Sequence, residues 1–397
     1  MAKPSVLIVG GGVFGTSTAY HLSLRGYTDV TVLDRFDVPS KDSAATDLNK
    51  VVRADYPNPL YTKLGLEAMD VWKNPHSIFS GMYRESGWIM GAHDMTRGWL
   101  ESARNVAEAA GRKGVPSGQA VLRMANAARS NGVKYSCGDA GYVRKLIYEG
   151  NTCRGVITAD GSEHFADLVV LASGSNTATL VEAKKESEAQ SSVICVIKLE
   201  PHEVEKYKDI PIVDDFEQGI IFPPDEDGLI KLCSCRTVTN YQNNRVLGAS
   251  ILHSLGDYPD DGCPKEIEDE LRQFVREMIP ELADRPFIST KLCWDALAGD
   301  LNFRICPYPE SKNLFVATMG SNHGFKFLPV IGKYVVDMLE GKLGKDWADL
   351  WKWKFGKVPD DFQDPHPYPP RDLAELTGWK SRNALGNGKL PWTWSRL

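Results

Sequence analysis

A mixed α/β chain in two domains is what this sequence predicts, on three observations. Near the start, a short apolar run leads into a glycine turn, a helical stretch and a second apolar run. In the middle, a meander of short strands ends in a buried strand stopped by glycine. The chain has 397 residues, too many for one ordinary hydrophobic core.

The first unit is the most specific. Ser5–Val9 is a short strand, and Gly10, Gly12 and Gly15 follow it as G-x-G-x-x-G, with Val13 and Phe14 inside the turn. Thr16–Leu24 reads as a helix that Gly26 ends. "DVTVLDRF" is the next strand, closing on Asp34 and Arg35. Gly10 permits a tight turn, Gly12 lets a pyrophosphate approach the backbone, and Gly15 lets helix and strand pack closely. The helix N-terminus supplies unpaired N–H groups for phosphates. Asp34, 19 residues after Gly15, can accept hydrogen bonds from both hydroxyls of an adenosine ribose. The pattern predicts a dinucleotide; the alternative is a glycine turn in a nucleotide-free βαβ unit.

The choice between FAD and NAD rests on "NGVKYSCGDAGYVRKLIYEGNTCRGVITADGSEHFADLVVLASG". It reads as three or four strands with turns at Glu149–Asn151 and Asp160–Gly161, then a buried strand, Leu168–Ala172, stopped by Ser173–Gly174. A meander inserted into a Rossmann frame is the layout of two-domain flavoproteins, whereas NAD dehydrogenases continue with further βα repeats. Residues 1–82, 131–182 and 288–345 are therefore assigned to a Rossmann-type FAD-binding domain.

Tyr83–Gly91 reads as a strand, and Trp99–Arg129 as helical with a break at Gly111–Gly118. "SSVICVIKLEP" and "QGIIFPPDEDGLIKLCSC" read as strands and hairpins, and Pro264–Met278 as an amphipathic helix. These predict a second, antiparallel-sheet substrate domain over 83–130 and 183–287. The Trp- and Pro-rich stretch 346–397 reads as a packing strap with a targeting tail.

Net charge is −6, with no basic stripe among aromatics, which argues against nucleic acid. No apolar run is long enough to span a bilayer. Met1–Gly15 carries one early Lys, but its apolar run ends in the glycine turn, so it is not read as a secretion signal. Eight scattered cysteines imply reduced thiols in an intracellular compartment. Cys233 and Cys235 share a strand face, yet no second Cys or His pair lies at ligand spacing, so no metal is expected. Ser395-Arg396-Leu397 is a conservative variant of the Ser-Lys-Leu peroxisomal address, which implies an import receptor as partner; the alternative is a frayed tail.

Six blocks in one order, "VLIVGGGVFGTSTAYHL", "DLNKVVRADY", "ESGWIM", "GLIKLC", "KLCWD" and "GSNHGFKFLP", resemble the monomeric sarcosine oxidase family. The likeness is greatest to its fungal branch of fructosyl amino acid (Amadori) oxidases and saccharopine or pipecolate oxidases. It runs from Ser5 to about Lys342. The resemblance implies a two-domain flavoprotein of the glutathione-reductase and D-amino acid oxidase type, often monomeric. It also implies a longer segment than "GRKGVPSGQ" between two helices, so part of the pocket wall is shortened or missing.

By the same resemblance, Cys293 forms a thioether to the 8α-methyl of FAD, and it precedes Lys326 by 33 residues as in the family. Lys231 lies over the flavin, where a fixed cation eases the first electron transfer to O2. Arg53 and Lys326 bind a substrate carboxylate, and Lys50 lies against the ring. Gly174, Gly320, Gly324 and Phe325 approach the cofactor. A helix starting at Leu328 points its N-terminus at the flavin. His323 meets the substrate amine as a polar contact or tunes its protonation. Asp295 pairs with a second cationic or hydroxyl group.

The implied activity is oxidation of a secondary amine in an N-alkyl (N-methyl) amino acid. Hydride goes to flavin N5, the imine product hydrolyses, and O2 becomes hydrogen peroxide. Cys233, Ser234 and Cys235 stand where Amadori oxidases carry acids, which with Arg53 argues against a fructosyl substrate. Pipecolate or saccharopine oxidation, or a biosynthetic oxidation, remain open alternatives. So do a flavin dehydrogenase with a protein acceptor and a nucleotide-binding protein without redox turnover.

Overall fold

The computed structural model describes residues 3–92, 94–106, 113–115, 117–183, 185–241, 248–258, 261–362, 364–366 and 368–379. Six strands form the first sheet, in the order Arg304–Pro307, Leu314–Thr318, Leu168–Leu171, Val6–Val9, Val30–Leu33 and Lys134–Ser136. All neighbours are parallel except the edge pair of Arg304–Pro307 with Leu314–Thr318. Side chains alternate across the sheet. Val6 and Ile8 pack under the helices Val13–Leu24, Ser117–Ser130 and Ile331–Leu339, while Leu7 and Val9 pack under the meander Val143–Glu149, Thr152–Thr158, Glu163–Phe165. Burial on both faces explains why VLIV and LVVL are continuous apolar runs.

The second sheet has eight strands. Seven lie in the order Arg371–Asp372, Val238–Thr239, Glu188–Lys198, Leu229–Ser234, Gly219–Ile221, Ile212–Asp215 and Trp88–Gly91, and Phe287–Leu297 pairs with Glu188–Lys198. The helix Lys265–Met278 covers one face, setting Ile267, Leu271 and Phe274 against Val193, Cys195, Ile230, Leu232 and Leu292. The two-residue period then sends Ser192, Ile194, Lys231, Cys233, Cys293 and Asp295 to the opposite face. That face lines the cavity.

Several expected boundaries move. Phe287–Leu297 belongs to the second sheet, so the chain rejoins the first sheet at Arg304 rather than 288. Ser117–Ser130, expected with the substrate domain, packs Ala120, Val121 and Met124 into the core under the first sheet. The strap serves both sheets: Trp347 and Trp351 enter that same core, and Arg371–Asp372 extends the second sheet. In the short junction, Lys113–Val115 pairs with Lys50–Val52, while 107–112 and Ser395-Arg396-Leu397 lie outside the described residues.

The helix expected from Leu328 begins at Ile331, after a 3-10 turn at Phe325–Phe327. Ser17 Oγ donates to Leu328 O and accepts from the Gly332 N–H at 2.9 Å, so the first helix caps this one. The 3-10 turn, not the helix end, therefore faces the cavity through Phe325 and Lys326. Among the described residues no helix is long and apolar enough to cross a membrane.

Candidate active site

A cavity of about 2320 Å³ is lined by both sheets. Ordinary ligand pockets hold roughly 300–1,000 Å³, so this one has room for a dinucleotide and a substrate together. Every expected site residue lines it except Gly15. Gly15 lies beneath the turn, where a Cβ would stand 1.8 Å from Gly10 O.

At the nucleotide end, Gly10 has φ +105°, and a Cβ there would meet Ala172 O at 2.4 Å. Gly12 is open apart from Ser43 Oγ, so its backbone is free to meet a phosphate. Asp34 accepts from the Gly11 N–H at 2.7 Å and the Phe36 N–H at 2.9 Å, which holds the carboxylate at the strand end. Burial raises its carboxyl above the usual range. Arg35 pairs with Asp257 and donates to Ser254 Oγ at 3.1 Å, tying the cavity rim to the 248–258 segment. The glycine cradle and the acid fit the adenosine diphosphate half of FAD.

The middle of the cavity carries a buried charge cluster that sequence reasoning missed in part. Lys231 is 1% exposed, and its Nζ lies 2.8 Å from Asp47 Oδ2 and donates to Asn49 O. Lys50 Nζ lies 3.1 Å from the same oxygen and 3.7 Å from Cys293 Sγ. Burial alone would raise the Asp47 carboxyl, but Lys231, Lys50 and Lys291 hold it well below the usual carboxylate range. Burial pulls the Lys231 ammonium down against Asp47. For Lys50, burial is outweighed by Cys293 and Asp47, and its pKa rises. Asp47 opens the block "DLNKVVRADY", three residues before Lys50, and that adjacency was the available signal.

At the far end, Lys326 is buried and its Nζ donates to His323 O at 3.2 Å. Burial, then Arg53 and Lys50, push its pKa well below the usual lysine value, with Asp214 and Asp55 opposing. Arg53 sits among the rings of Tyr56, Trp88 and Trp99, at 4.7, 5.1 and 5.5 Å, and donates to Asp55 O.

One expected role changes on this geometry. His323 Nε2 faces Leu301 O at 2.8 Å, so it carries the proton, and Nδ1 accepts from Tyr56 OH at 3.2 Å. Burial and Lys326 keep the ring neutral. With both nitrogens engaged and the ring stacked on Phe303 at 4.7 Å, His323 positions the loop instead of meeting an amine. Asp295 accepts from the Ala296 N–H and the Asn322 N–H, each at 2.8 Å, so it clamps that loop, with a further lone pair left on each oxygen.

A parallel sheet with a glycine turn, facing a second sheet that lines the same cavity with buried lysines, defines a dinucleotide-dependent oxidoreductase of the flavin type. The sequence matches the FAD dependent oxidoreductase family over residues 5–123 and 112–338, and the chain belongs to that family. It is 32% identical to L-saccharopine oxidase of Schizosaccharomyces pombe, over 88% of this chain and 93% of the relative. It is 20% identical to peroxisomal sarcosine oxidase of Mus musculus, over 84% of this chain and 91% of the relative. The solved structure of fructosamine oxidase (Amadoriase II) from Aspergillus fumigatus superposes with a TM-score of 0.86 at 30% identity, covering 96% of this chain and 98% of that one.

Proposed function

We propose that the protein is an FAD-dependent oxidase of a secondary amine in an N-alkyl amino acid, with O2 as acceptor and peroxide as product. The observation that carries this reading is the pair Arg53 and Lys326 lining one cavity. Arg53 and Lys326 donate to the backbone carbonyls of Asp55 and His323, and a substrate carboxylate fits the planar guanidinium in a bidentate way. Such an anion also raises the depressed Lys326 ammonium back toward its charged form.

When bound, FAD supplies the two-electron acceptor for the hydride from the carbon beside the amine nitrogen, and then the donor to O2. The chain's own part is placement. The glycine turn and Asp34 hold the nucleotide. Lys50 Nζ stands 3.7 Å from Cys293 Sγ, the thiol proposed for a thioether tether. Lys231, held by Asp47, supplies the fixed charge that lowers the cost of forming superoxide. Arg53 and Lys326 fix the substrate acid, and the neutral His323 holds their loop.

The relatives act, by name, on saccharopine, sarcosine and fructosyl amines, and all three are secondary amines. A larger amine with carboxylates on both substituents is the second reading, favoured by the cavity volume and the saccharopine oxidase likeness. Ser395-Arg396-Leu397 supports import into peroxisomes, where peroxide is disposed of, and the mouse relative carries that address in its name. A monomer is the proposed state.

A peroxide-coupled screen with sarcosine, N-methyl amino acids, pipecolate, saccharopine and fructosyl-valine tests the reading. Arg53→Ala should raise KM for the working acid by at least about tenfold. No peroxide from any of these amines, or an unmoved KM, would overturn it.

A further inference from the structure

Asp214 is a cavity carboxylate that the reading above leaves without a task. It lies on Ile212–Asp215, where alternation puts Asp214 on the face of Ile212 and toward the cavity. The other two residues face away: Val213 packs behind the sheet, and Asp215 Oδ1 accepts from the Glu217 and Gln218 N–H groups at 2.9 and 3.0 Å. Asp214 is 5% exposed; its carboxylate interacts with the Trp88 side chain, and its Oδ1 has no partner at ordinary hydrogen-bond distance. The large majority of buried side-chain polar atoms in folded proteins have a hydrogen-bond partner. An oxygen aimed into a ligand cavity without a partner therefore points to a donor on the ligand.

The charges around it say what donor. Arg53 and Lys326 act on it as cations, Asp215 acts on it from the other face as a like charge, and Cys235 beside it stays a neutral thiol because burial raises its pKa. The two cations bond elsewhere, to Asp55 O and His323 O. One acid beside two bases, at one end of one cavity, complements a zwitterion. Resting on the carboxylate reading of Arg53 and Lys326, we propose that Asp214 determines specificity by binding a cationic nitrogen of the substrate while those two residues hold its carboxylate. The nitrogen is either the one that reacts, on arrival as ammonium, or a second ammonium further along the substrate. Acids without such a nitrogen bind less tightly beside the unpaired carboxylate. Its carboxyl, which burial pushes up to about 7 against Arg53, is ionised enough near neutral pH to do this.

Two matched pairs of ligands test it by calorimetric titration of the flavin-loaded protein. N,N-Dimethylglycine and 3-methylbutanoate have one shape and differ by the charged N–H, and neither has a secondary amine. Their homologues with five methylenes place the same groups far from the carboxylate. Wild-type protein should prefer the charged member of a pair, and Asp214→Asn should weaken that member by about tenfold or more while leaving the neutral one unchanged or tighter. An effect confined to dimethylglycine places the nitrogen beside the carboxylate, and one confined to the long pair places it distally. Equal effects on charged and neutral members, or none, overturn the proposal. Arg53→Ala should weaken all four ligands, and if wild-type protein binds none of them the carboxylate reading itself falls. Asp214→Ser, with bound flavin colour and melting temperature as controls, repeats the test if the Asn variant folds poorly.

Discussion

Asp47 shows what a single side chain carries here. Its carboxylate meets Lys231 and Lys50 within 3.1 Å, and both lysines lose their counter-charge if it goes. Breaking a buried pair from one side costs about 3–5 kcal/mol, because the remaining charge stays uncompensated. Asp47→Ala should therefore lower stability by about that amount in urea unfolding, and Asp47→Ala with Lys231→Met should recover much of it. Additive losses would mean the pair is not coupled. Asp214 works in the other direction. Its folded pKa, about 7, is raised above the unfolded value, so its contribution to stability is complete below about pH 4 and is lost as pH rises through 7. Asp214→Asn should melt above wild type at alkaline pH and level with it in acid. A constant gap across pH would contradict this. That Lys231, Lys326, Arg53 and Cys293 line one cavity was legible because the motifs that hold them resemble a known family. Asp47 and Asp214 were not, since Lys231 lies 184 residues from Asp47 and nothing local to Asp214 says which face it takes.

Element by element, the sequence was readable wherever one strand or helix carries its own signal. The glycine turn, the meander and the amphipathic helix Lys265–Met278 all stand where their patterns put them. The helix after the His/Lys loop does not, because Leu328 and Val330 pack into the core without joining it. Ser17 decides where that helix begins, by capping Gly332 from 315 residues away. The contact also makes Gly332 irreplaceable. A Cβ there would lie 2.1 Å from Ser17 O and 2.6 Å from Thr18 N, both backbone atoms that cannot rotate aside. Gly332→Ala should force the two helices apart and cost at least about 1–3 kcal/mol. The loss would appear as a lower urea midpoint with unchanged slope, whereas a neutral substitution would mean the helices pack more loosely than this.

At the scale of the whole molecule, the domain boundaries were the least legible feature, and the site explains why. Phe287–Leu297 looks like a return to the nucleotide domain, yet it pairs along Glu188–Lys198, and that pairing depends on contacts about a hundred residues apart that no local pattern records. Cys293 is thereby carried on the second sheet, while the glycine cradle and Asp34 belong to the first. A cofactor held by the cradle and bonded at Cys293 would join the two sheets covalently, and that has a thermodynamic signature. A ligand that leaves on unfolding stabilises by mass action, so melting rises with its free concentration. A tethered one stays with the unfolded chain, and added free FAD changes nothing. Wild-type holoenzyme should therefore melt at one temperature whatever FAD is added. Cys293→Ser should melt lower and climb steadily with FAD, by up to about 1.4 kcal/mol of stability per tenfold increase. If wild type climbs alongside the variant, the cofactor is not tethered at Cys293, and the two sheets are held together by noncovalent contacts alone.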